Sequence, residues 1–397
     1  MRLGRLRDLV LLLAVAAYSA GYATPGLAVL FLLALVEVLT RSWRWIPTAI
    51  DAPLLALALA AVASALASQW RGVSLMLALL FGLTAVVSVR SVAVYAHGGA
   101  DDIVSLLRIW VAGGAAAALW GLARSGAAGW AAATTPGVGE NGLGMTLAVA
   151  LTLTVALAVT GLLRGRWTAG ALTAVLLAGL ILTRSRGGWL GAAVGVTLAI
   201  LLGAPRPARL RLLLWTAVLT VAGLTLLARW PALGGDICSL VRPEAEANRS
   251  RLLIWRAIPR MVADHPLLGT GYGTFVQAYP RYRLPEATEL YPPFAHNLWL
   301  NFAVETGLVG LAALLALCVV GLRAAWQWVQ SSPPQSEGRG AAVAVFAALL
   351  VLLTTQMFDG SIMSVHLGFG FLALLILGPV GIRAAETPLY RPGDARP

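Results

Sequence analysis

The sequence contains no lysine, only two cysteines and few acidic residues for its length. All 29 basic residues are therefore arginines, against 17 acidic residues. Cys238 and Cys318 lie far apart, and Cys318 falls inside an apolar run, so they predict neither a disulfide framework nor a cysteine-based metal site. Exclusive use of arginine can reflect the base composition of a genome, so a single arginine carries less information here than in a chain that also uses lysine.

Apolar residues dominate the chain instead. Of its 397 residues, 59% are hydrophobic and 12% are charged, and the mean hydropathy is +0.81. This composition excludes a soluble domain and predicts a helical protein embedded in membrane lipids. The net charge of +12 could suit nucleic acid, but arginines in loops beside apolar spans are ordinary orientation signals. We therefore expect no nucleic-acid partner.

Twelve apolar runs predict an all-α, polytopic integral membrane protein with about 12 transmembrane helices. The runs cover residues 9–23, 26–39, 50–68, 72–95, 104–123, 142–163, 168–183, 188–203, 210–229, 298–320, 341–358 and 363–383. The predicted organisation is helices 1–9 in residues 1–229, one large loop with short helices in 230–297, helices 10–12 in 298–383, and a cytoplasmic tail in 384–397. The first run also fits a cleaved signal peptide, but an apolar run follows at once, which favours an uncleaved anchor.

The distribution of arginines predicts the orientation of the chain. One set of alternate loops holds 17 arginines, whereas the other set, apart from the large loop, holds only 4. Short cytoplasmic loops retain positive charge, and long loops are largely exempt from this rule. We therefore predict that both termini are cytoplasmic and that the 230–297 loop faces outward.

Two of the outward arginines, Arg184 and Arg186, lie between apolar runs with barely a turn to separate them. Arginine at a membrane boundary needs an anionic partner or water. The following Gly187 and Gly188 permit close approach and begin a predicted helix, whose N-terminal amides favour phosphate. The pattern predicts a phosphate site, and the alternative is that these side chains reach lipid headgroups.

A second arginine cluster occupies the large loop, on a predicted surface helix between Asn248 and Arg260. Helical spacing places apolar residues on one side and most arginines on a polar face, with Arg251 nearer the edge of that face. The apolar residues are Leu252, Trp255 and Ile258, and the polar face holds Arg249, Arg256 and Arg260. A guanidinium group suits the oxygens of a diphosphate. The alternative is an amphipathic helix lying on anionic headgroups.

His296 is the strongest candidate for a catalytic base. Pro292 and Pro293 stiffen the approach to it, Asn297 follows, and an apolar run begins immediately afterwards. An imidazole titrates near neutrality and can take a proton from a sugar hydroxyl. Glu305 lies about 13 Å further along a straight helix, too far to contact His296, but an ionisable group within a span is a functional candidate. Helix packing is the alternative role for Glu305.

These residues, taken in order, resemble motifs of the bacterial O-antigen ligase family. The motifs are Ser185-Arg186-Gly187, Arg251-x-x-x-Trp255, the run from His265 through Pro266, Gly269 and Gly271 to Gly273, His296-Asn297-x-x-Leu300 and Glu305-x-Gly307-x-x-Gly310. The residues around Asn141 resemble the asparagine-containing start of a middle span in that family. The similarity covers about residues 135–310, and the earlier residues contribute only the span pattern.

The resemblance implies an enzyme on the periplasmic face of the bacterial inner membrane. Members of this family move a finished O-antigen glycan from undecaprenyl pyrophosphate to a sugar of lipid A-core, with inversion and without metal or cofactor. Arg186 and Arg251 would then bind the pyrophosphate, and His296 would activate the acceptor hydroxyl. We add Arg184, Arg249 and Arg256 as pyrophosphate ligands from their positions, and Asn297, Glu305 and Asn141 as supporting residues. No Asp-x-Asp sequence occurs, which disfavours a metal-dependent enzyme that uses sugar nucleotides.

Three alternatives remain at this stage. O-antigen polymerases use the same lipid donor, and Arg260 with Gly271 fits an arginine-glycine pattern of those enzymes. Protein O-oligosaccharyltransferases share the His-Asn motif, but they usually carry a substantial periplasmic region at the C-terminus. A membrane transporter would explain polar groups near Arg184 and Glu305, but it would normally show charged or broken spans at mid-membrane and often a repeat, and the sequence shows neither clearly.

Overall fold

The computed structural model describes residues 2–20, 23–136, 138–229, 246–359 and 365–386. Within these ranges the protein is all-α, as predicted, and the only β-type pairing is an isolated bridge between Thr135 and Val138. The first part of the large loop (230–245, with Cys238) and residues 387–397 of the expected tail lie outside the described residues.

Helices stand where the apolar runs predicted them, and shorter helices lie in the large loop. The helices of the apolar runs are α1 (Arg2–Ser19), α2 (Ala23–Leu39), α3 (Asp51–Ala67), α4 (Arg71–Ala96), α5 (Ala100–Ala127), α6 (Glu140–Val159), α7 (Arg166–Leu182), α8 (Arg186–Gly203), α9 (Arg206–Ala228), α12 (Leu298–Ser331), α13 (Glu337–Thr355) and α14 (Val365–Glu386). The loop contributes α10 (Glu246–Asp264), α11 (Phe275–Ala278) and a 3₁₀ turn (Tyr279–Arg281).

Six of the described helices are long and apolar enough to cross a membrane by themselves: α4, α5, α6, α8, α12 and α13. Shorter apolar helices lie within α2, α3, α7 and α14. The protein is therefore membrane-embedded. The predicted count of twelve spans and the outward position of the loop stay predictions.

Glycine contacts bring α6 and α8 close together at the ends where both helices begin. A Cβ atom added to Gly188 would lie 2.9 Å from the carbonyl carbon of Gly144, and one added to Gly144 would lie 2.3 Å from Cβ of Ser185. Because lipid provides no hydrophobic force between helices, such small-residue contacts are a main source of their packing. They fix the start of α8 against the start of α6.

The start of α12 is joined to the end of α13 at the same end of the bundle. The amide of Leu298 donates to the carbonyl of Gln356 at 3.0 Å, and the side chain of Gln356 reaches Sδ of Met145 on α6 at 3.3 Å. The starts of α6, α8 and α12 and the end of α13 therefore meet. We call this region the loop end of the bundle.

A kink in α12 receives the glycine-rich segment 265–275 of the large loop. Gly307 leaves the helical conformation with φ 64° and ψ −169°, so nearby backbone groups lose their helical partners. Segment 265–275 supplies new partners, because Leu308 donates to the carbonyl of Pro266 at 2.8 Å and Thr270 donates to that of Val304 at 2.9 Å. A Cβ atom at Gly307 would lie 2.2 Å from the carbonyl oxygen of Leu267. The two glycine-containing motifs are therefore parts of one joint.

Helix α10 packs on α12 through a face that the sequence predicts only in part. Its most buried side chains are Leu253, Ile254, Ala257, Ile258 and Met261. Leu252, predicted on the apolar side, is 41% exposed, so that assignment is wrong. The physical reason is register: Leu252 lies two residues before Ile254, about 200° around the helix.

Candidate functional site

Arg186 is the first residue of α8 and connects that helix to α10. Ser185 caps the helix, since its side chain accepts from the amide of Gly188 at 3.2 Å. The half-buried Arg186 side chain donates through Nη1 to Oδ1 of Asn248 at 2.7 Å. Asn248 lies in the first turn of α10, so Arg186 ties the start of the loop helix to the loop end of the bundle.

Arg251 follows Asn248 by three residues and is also half-buried. The pKa of Arg251 is lowered, first by burial and then by the positive charge of Arg186, while Asp359 acts in the opposite direction. Asp359 is buried and comes shortly after α13. Two guanidinium groups and one carboxylate therefore lie close enough to affect one another. For Arg251 the repulsion from Arg186 exceeds the attraction of Asp359, so a further anion would be favourable here.

His296 sits beside this cluster in an unusual backbone conformation. Its φ is 51°, a left-handed value that few non-glycine residues adopt. Its ring meets that of Phe294 edge-on at 4.8 Å. Burial and the charge of Arg251 lower the pKa of His296 to about 4, so the imidazole is neutral at neutral pH. Its Nδ1 atom is buried and has no hydrogen-bond partner among the described residues.

Asn297 holds the start of α12 and connects it to the segment after α13. Its Oδ1 atom accepts from the amide of Leu300 at 3.0 Å, which caps the helix. Its Nδ2 atom donates to the carbonyl of Met357 at 3.0 Å. The side chain of Asn297 thus has a structural role directly beside His296, and the supporting role predicted for it in the reaction stays a prediction.

Glu305 is buried below the site and anchors the docked loop segment. Its two carboxylate oxygens accept from the amides of Gly273 and Phe275, each at 2.9 Å, and the side chain of Asn301 also donates to it. Ser64 on α3 donates to its main-chain carbonyl at 2.6 Å. These contacts make Glu305 the link between segment 265–275 and α12, rather than a neighbour of His296.

The other predicted pyrophosphate ligands do not join Arg186 and Arg251. Arg249 and Arg256 are exposed and lie about 140–160° around α10 from Arg251. Arg184 has a positive φ of 56°, and its Nη2 atom donates to the carbonyl of Trp130 at 2.9 Å. The pyrophosphate role proposed for these three residues stays a prediction.

Asn141 lies in the first turn of α6, three residues before Gly144, and is half-exposed. It is therefore at the loop end, near the start of α8. Sequence reasoning missed Asn248 and Asp359. The only sequence signal for Asp359 is an acidic residue directly after an apolar run.

Within the described ranges, no group of three or more histidine, cysteine, aspartate or glutamate side chains could hold a metal ion. The absence of a metal stays a prediction. The groups that converge at the loop end are two guanidinium groups, the carboxylate of Asp359 and a neutral imidazole. The guanidinium groups are suited to binding an anion, and the imidazole is suited to accepting a proton.

Residues 171–316 match the family model Wzy_C, which is described as O-antigen ligase. The matched stretch runs from α7 into α12 and contains Arg186, Arg251 and His296, whereas Asn141 and Asp359 lie outside it. No curated protein matches the chain.

Proposed function

We propose that the protein, whose residues 171–316 match the O-antigen ligase family model, is an O-antigen ligase of lipopolysaccharide biosynthesis. It transfers O-antigen polysaccharide from undecaprenyl pyrophosphate to a sugar hydroxyl of lipid A-core. The reaction takes place on the periplasmic face of the bacterial inner membrane. The observation that carries the proposal is the juxtaposition of Arg186, Arg251 and a neutral His296 at the loop end.

In this proposal Arg186 and Arg251 bind the pyrophosphate of the donor. The mutual repulsion of the two guanidinium groups supports this role, because a bound dianion would turn it into attraction to a shared partner. Charge-assisted hydrogen bonds from arginine to phosphate oxygens are strong and directional. As the glycosidic C1–O bond breaks, negative charge grows on the leaving pyrophosphate, and groups already in place stabilise that charge most effectively.

His296 takes the proton of the acceptor hydroxyl as its oxygen forms the new bond to C1. The lowered pKa favours this role, because the imidazole is unprotonated at neutral pH and free to accept. Nδ1 is buried, so Nε2 is the nitrogen that would meet the acceptor. Attack on the face opposite the leaving group inverts the anomeric carbon. Pyrophosphate is a good leaving group, so two arginines and one base suffice in this scheme without a metal ion or cofactor.

The test is transfer by the purified protein in lipid nanodiscs. Undecaprenyl-pyrophosphate glycan and rough lipopolysaccharide are supplied without nucleotide, and the product is resolved on a gel. A ladder of glycan attached to lipopolysaccharide is expected, together with released undecaprenyl pyrophosphate. Longer lipid-linked glycan with no lipopolysaccharide product would instead identify a polymerase, and no transfer to either acceptor would contradict both.

A matched pair of histidine variants makes this assay specific to the site. His296→Ala removes the proposed base, whereas His97→Ala removes an exposed histidine at the end of α4. Only the first variant is expected to lose the ladder.

A further inference from the structure

The residue before His296 is held by two side chains from different helices. The indole Nε1 of Trp255, on α10, donates to the carbonyl oxygen of Ala295 at 2.8 Å. The amide of Ala295 donates to Oδ1 of Asn301, on α12, also at 2.8 Å. Ala295 itself is fully buried; its bond to Asn301 is buried and its bond from Trp255 is partly buried. We call Trp255 and Asn301 together the Ala295 clamp.

We propose that the Ala295 clamp positions His296, so that Trp255 and Asn301 are positioning residues of the transfer reaction. This inference rests on the proposed role of His296 as the base. Neither side chain needs to touch a substrate for this purpose, because both act through the main chain of Ala295.

The clamp acts on the peptide group that determines where the imidazole points. The carbonyl of Ala295 and the amide of His296 belong to one planar unit, so the bond from Trp255 fixes that plane. His296 has a left-handed φ, which costs a non-glycine residue about 1–2 kcal/mol. Such a conformation persists only where the surroundings over-determine it. The clamp on one side and the Asn297 cap on the other provide those restraints.

The clamp also connects the proposed base to the proposed phosphate ligand. Trp255 follows Arg251 by four residues, so both side chains lie on one face of α10. The same helix therefore carries a phosphate-binding arginine and the bond that orients the base. Movement of α10 would shift Arg251 and the bond from Trp255 together, so the position of the bound donor relative to the base would be preserved.

On its other side the clamp reaches the joint in α12. The side chain of Asn301 accepts from Ala295 and donates to Glu305. Glu305 in turn holds the amides of Gly273 and Phe275. Glu305 does not contact His296. Through this chain of bonds its carboxylate supports the base indirectly, by way of Asn301 and the main chain of Ala295.

Trp255→Phe is the main test, because it keeps an aromatic ring and removes the indole N–H. Trp45→Phe is the matched control, since Nε1 of Trp45 donates at 2.9 Å to the side chain of Asp51, the first residue of α3. Donor affinity and single-turnover transfer are measured for the full-length protein in nanodiscs. For Trp255→Phe we expect donor affinity within about twofold of wild type and a transfer rate lower by about 10–100-fold, the scale of a misplaced catalytic group. Trp45→Phe should match wild type in both.

A second readout does not depend on transfer. The protein is labelled with ¹³C-histidine, and the His296 signal is assigned by its loss in His296→Gln. Its titration midpoint in wild type should lie near 4. In Trp255→Phe a loosened, better hydrated ring should titrate closer to the ordinary histidine value of about 6.5. The pH at which the transfer rate declines in acid should rise with it.

The outcomes separate the clamp from the proposed function. If Trp255→Phe keeps both the wild-type rate and the wild-type His296 titration, the clamp has no positioning role. An equal loss of donor affinity and rate would assign Trp255 to the donor site instead. If the wild-type protein transfers nothing, the proposed function fails, but the titration still decides whether the clamp holds His296. Should Trp255→Phe fail to fold, Asn301→Ala, which frees the Ala295 amide, is subjected to the same measurements and judged by the same outcomes.

Discussion

Replacing Arg251 with methionine should stabilise the empty protein while weakening donor binding. Arg251 is half-buried, and both burial and the neighbouring charge of Arg186 disfavour its protonated form, with Asp359 opposing them. Methionine has a similar length and no charge to bury. The net electrostatic cost is therefore removed from the empty site, but the donor loses one of its two proposed cationic ligands.

The expected sizes follow from these contacts. Removing Arg251 relieves the cost of its burial and its repulsion from Arg186 but also loses its attraction to Asp359, and since the first two effects are the larger we expect a gain of about 1 kcal/mol, the size of common stabilising substitutions. A hydrogen bond to a charged group contributes about 1.5–3 kcal/mol, so donor affinity should fall about 10–150-fold. Arg251→Lys should restore only part of that affinity, because an ammonium group cannot bind two phosphate oxygens as a planar guanidinium does.

Thermal unfolding and donor affinity are measured on the same nanodisc preparations. Arg256→Met is the comparison on the opposite, exposed side of α10: it removes no buried charge and should leave the unfolding temperature unchanged, while its effect on donor binding tests the pyrophosphate role predicted for Arg256. If Arg251→Met unfolds at a lower temperature than wild type, Arg251 stabilises the empty site and the argument from repulsion is wrong. If Arg256→Met weakens donor binding as much as Arg251→Met does, the exposed face of α10 takes part in binding the pyrophosphate.

Three further predictions follow from the same account. Treatment with EDTA should leave transfer almost unchanged, and an activity that returns only with Mg²⁺ or Mn²⁺ would contradict the arginine-based mechanism. Cysteine introduced at Glu286 should react with an impermeant thiol reagent in cells with an intact inner membrane, while cysteine at Glu337 should not; the reverse pattern would invert the topology. Gly144→Val should displace Ser185 and reduce donor affinity at least tenfold, because a Cβ atom at Gly144 would lie 2.3 Å from the Cβ atom of Ser185. The control is Gly139→Val, since a Cβ atom at Gly139 meets no atom within 4 Å. Equal donor affinity in the two variants would contradict the packing argument.

The helical architecture follows from the sequence because its cause is local. A run of apolar residues near the length of a bilayer core must satisfy its backbone internally, and a helix does so without reference to the rest of the chain. The starts of α8 and α12 are also local features, since Ser185 and Asn297 are N-cap residues that precede apolar runs. These positions were accordingly predicted to within a few residues.

The composition of the site depends on contacts that spacing alone does not reveal. The resemblance to a known family indicated Arg186, Arg251 and His296 together, and the structure brings them to one end of the bundle. Helical periodicity placed Arg251 near a polar edge, but it could not predict that Arg186 would approach from another helix. Asp359 arrives from a third segment, and nothing local to it indicates a partner.

The kink in α12 shows the same limit in the backbone. Gly307 reads as one glycine in an apolar helix, which sequence rules tolerate at a small cost. A side chain does not fit at Gly307, because its Cβ atom would lie 2.2 Å from the carbonyl oxygen of Leu267, forty residues earlier in the chain. The partners of Glu305 could not be predicted for a related reason: they are the amides of Gly273 and Phe275, which come from the distant loop segment.

The acid dependence of transfer follows from the state of His296. Its pKa is lowered to about 4, and a base must be unprotonated to act. Transfer should therefore be level above about pH 5.5 and decline as the pH falls towards 4. The lowered pKa also means that the protein loses stability as the pH falls from about 6.5 to about 4, because in that range the unfolded chain binds a proton on this histidine and the buried ring does not.

The most direct measurement of the central claim is donor binding and single-turnover transfer by His296→Ala, compared with wild type at pH 7. Binding should survive, because Arg186 and Arg251 remain in place, while transfer at saturating donor should fall by about 10²–10⁴-fold with loss of the base. An His296→Ala protein that binds donor poorly, yet transfers at the wild-type rate once saturated, would show that His296 belongs to the binding site and that another group, or none, removes the proton.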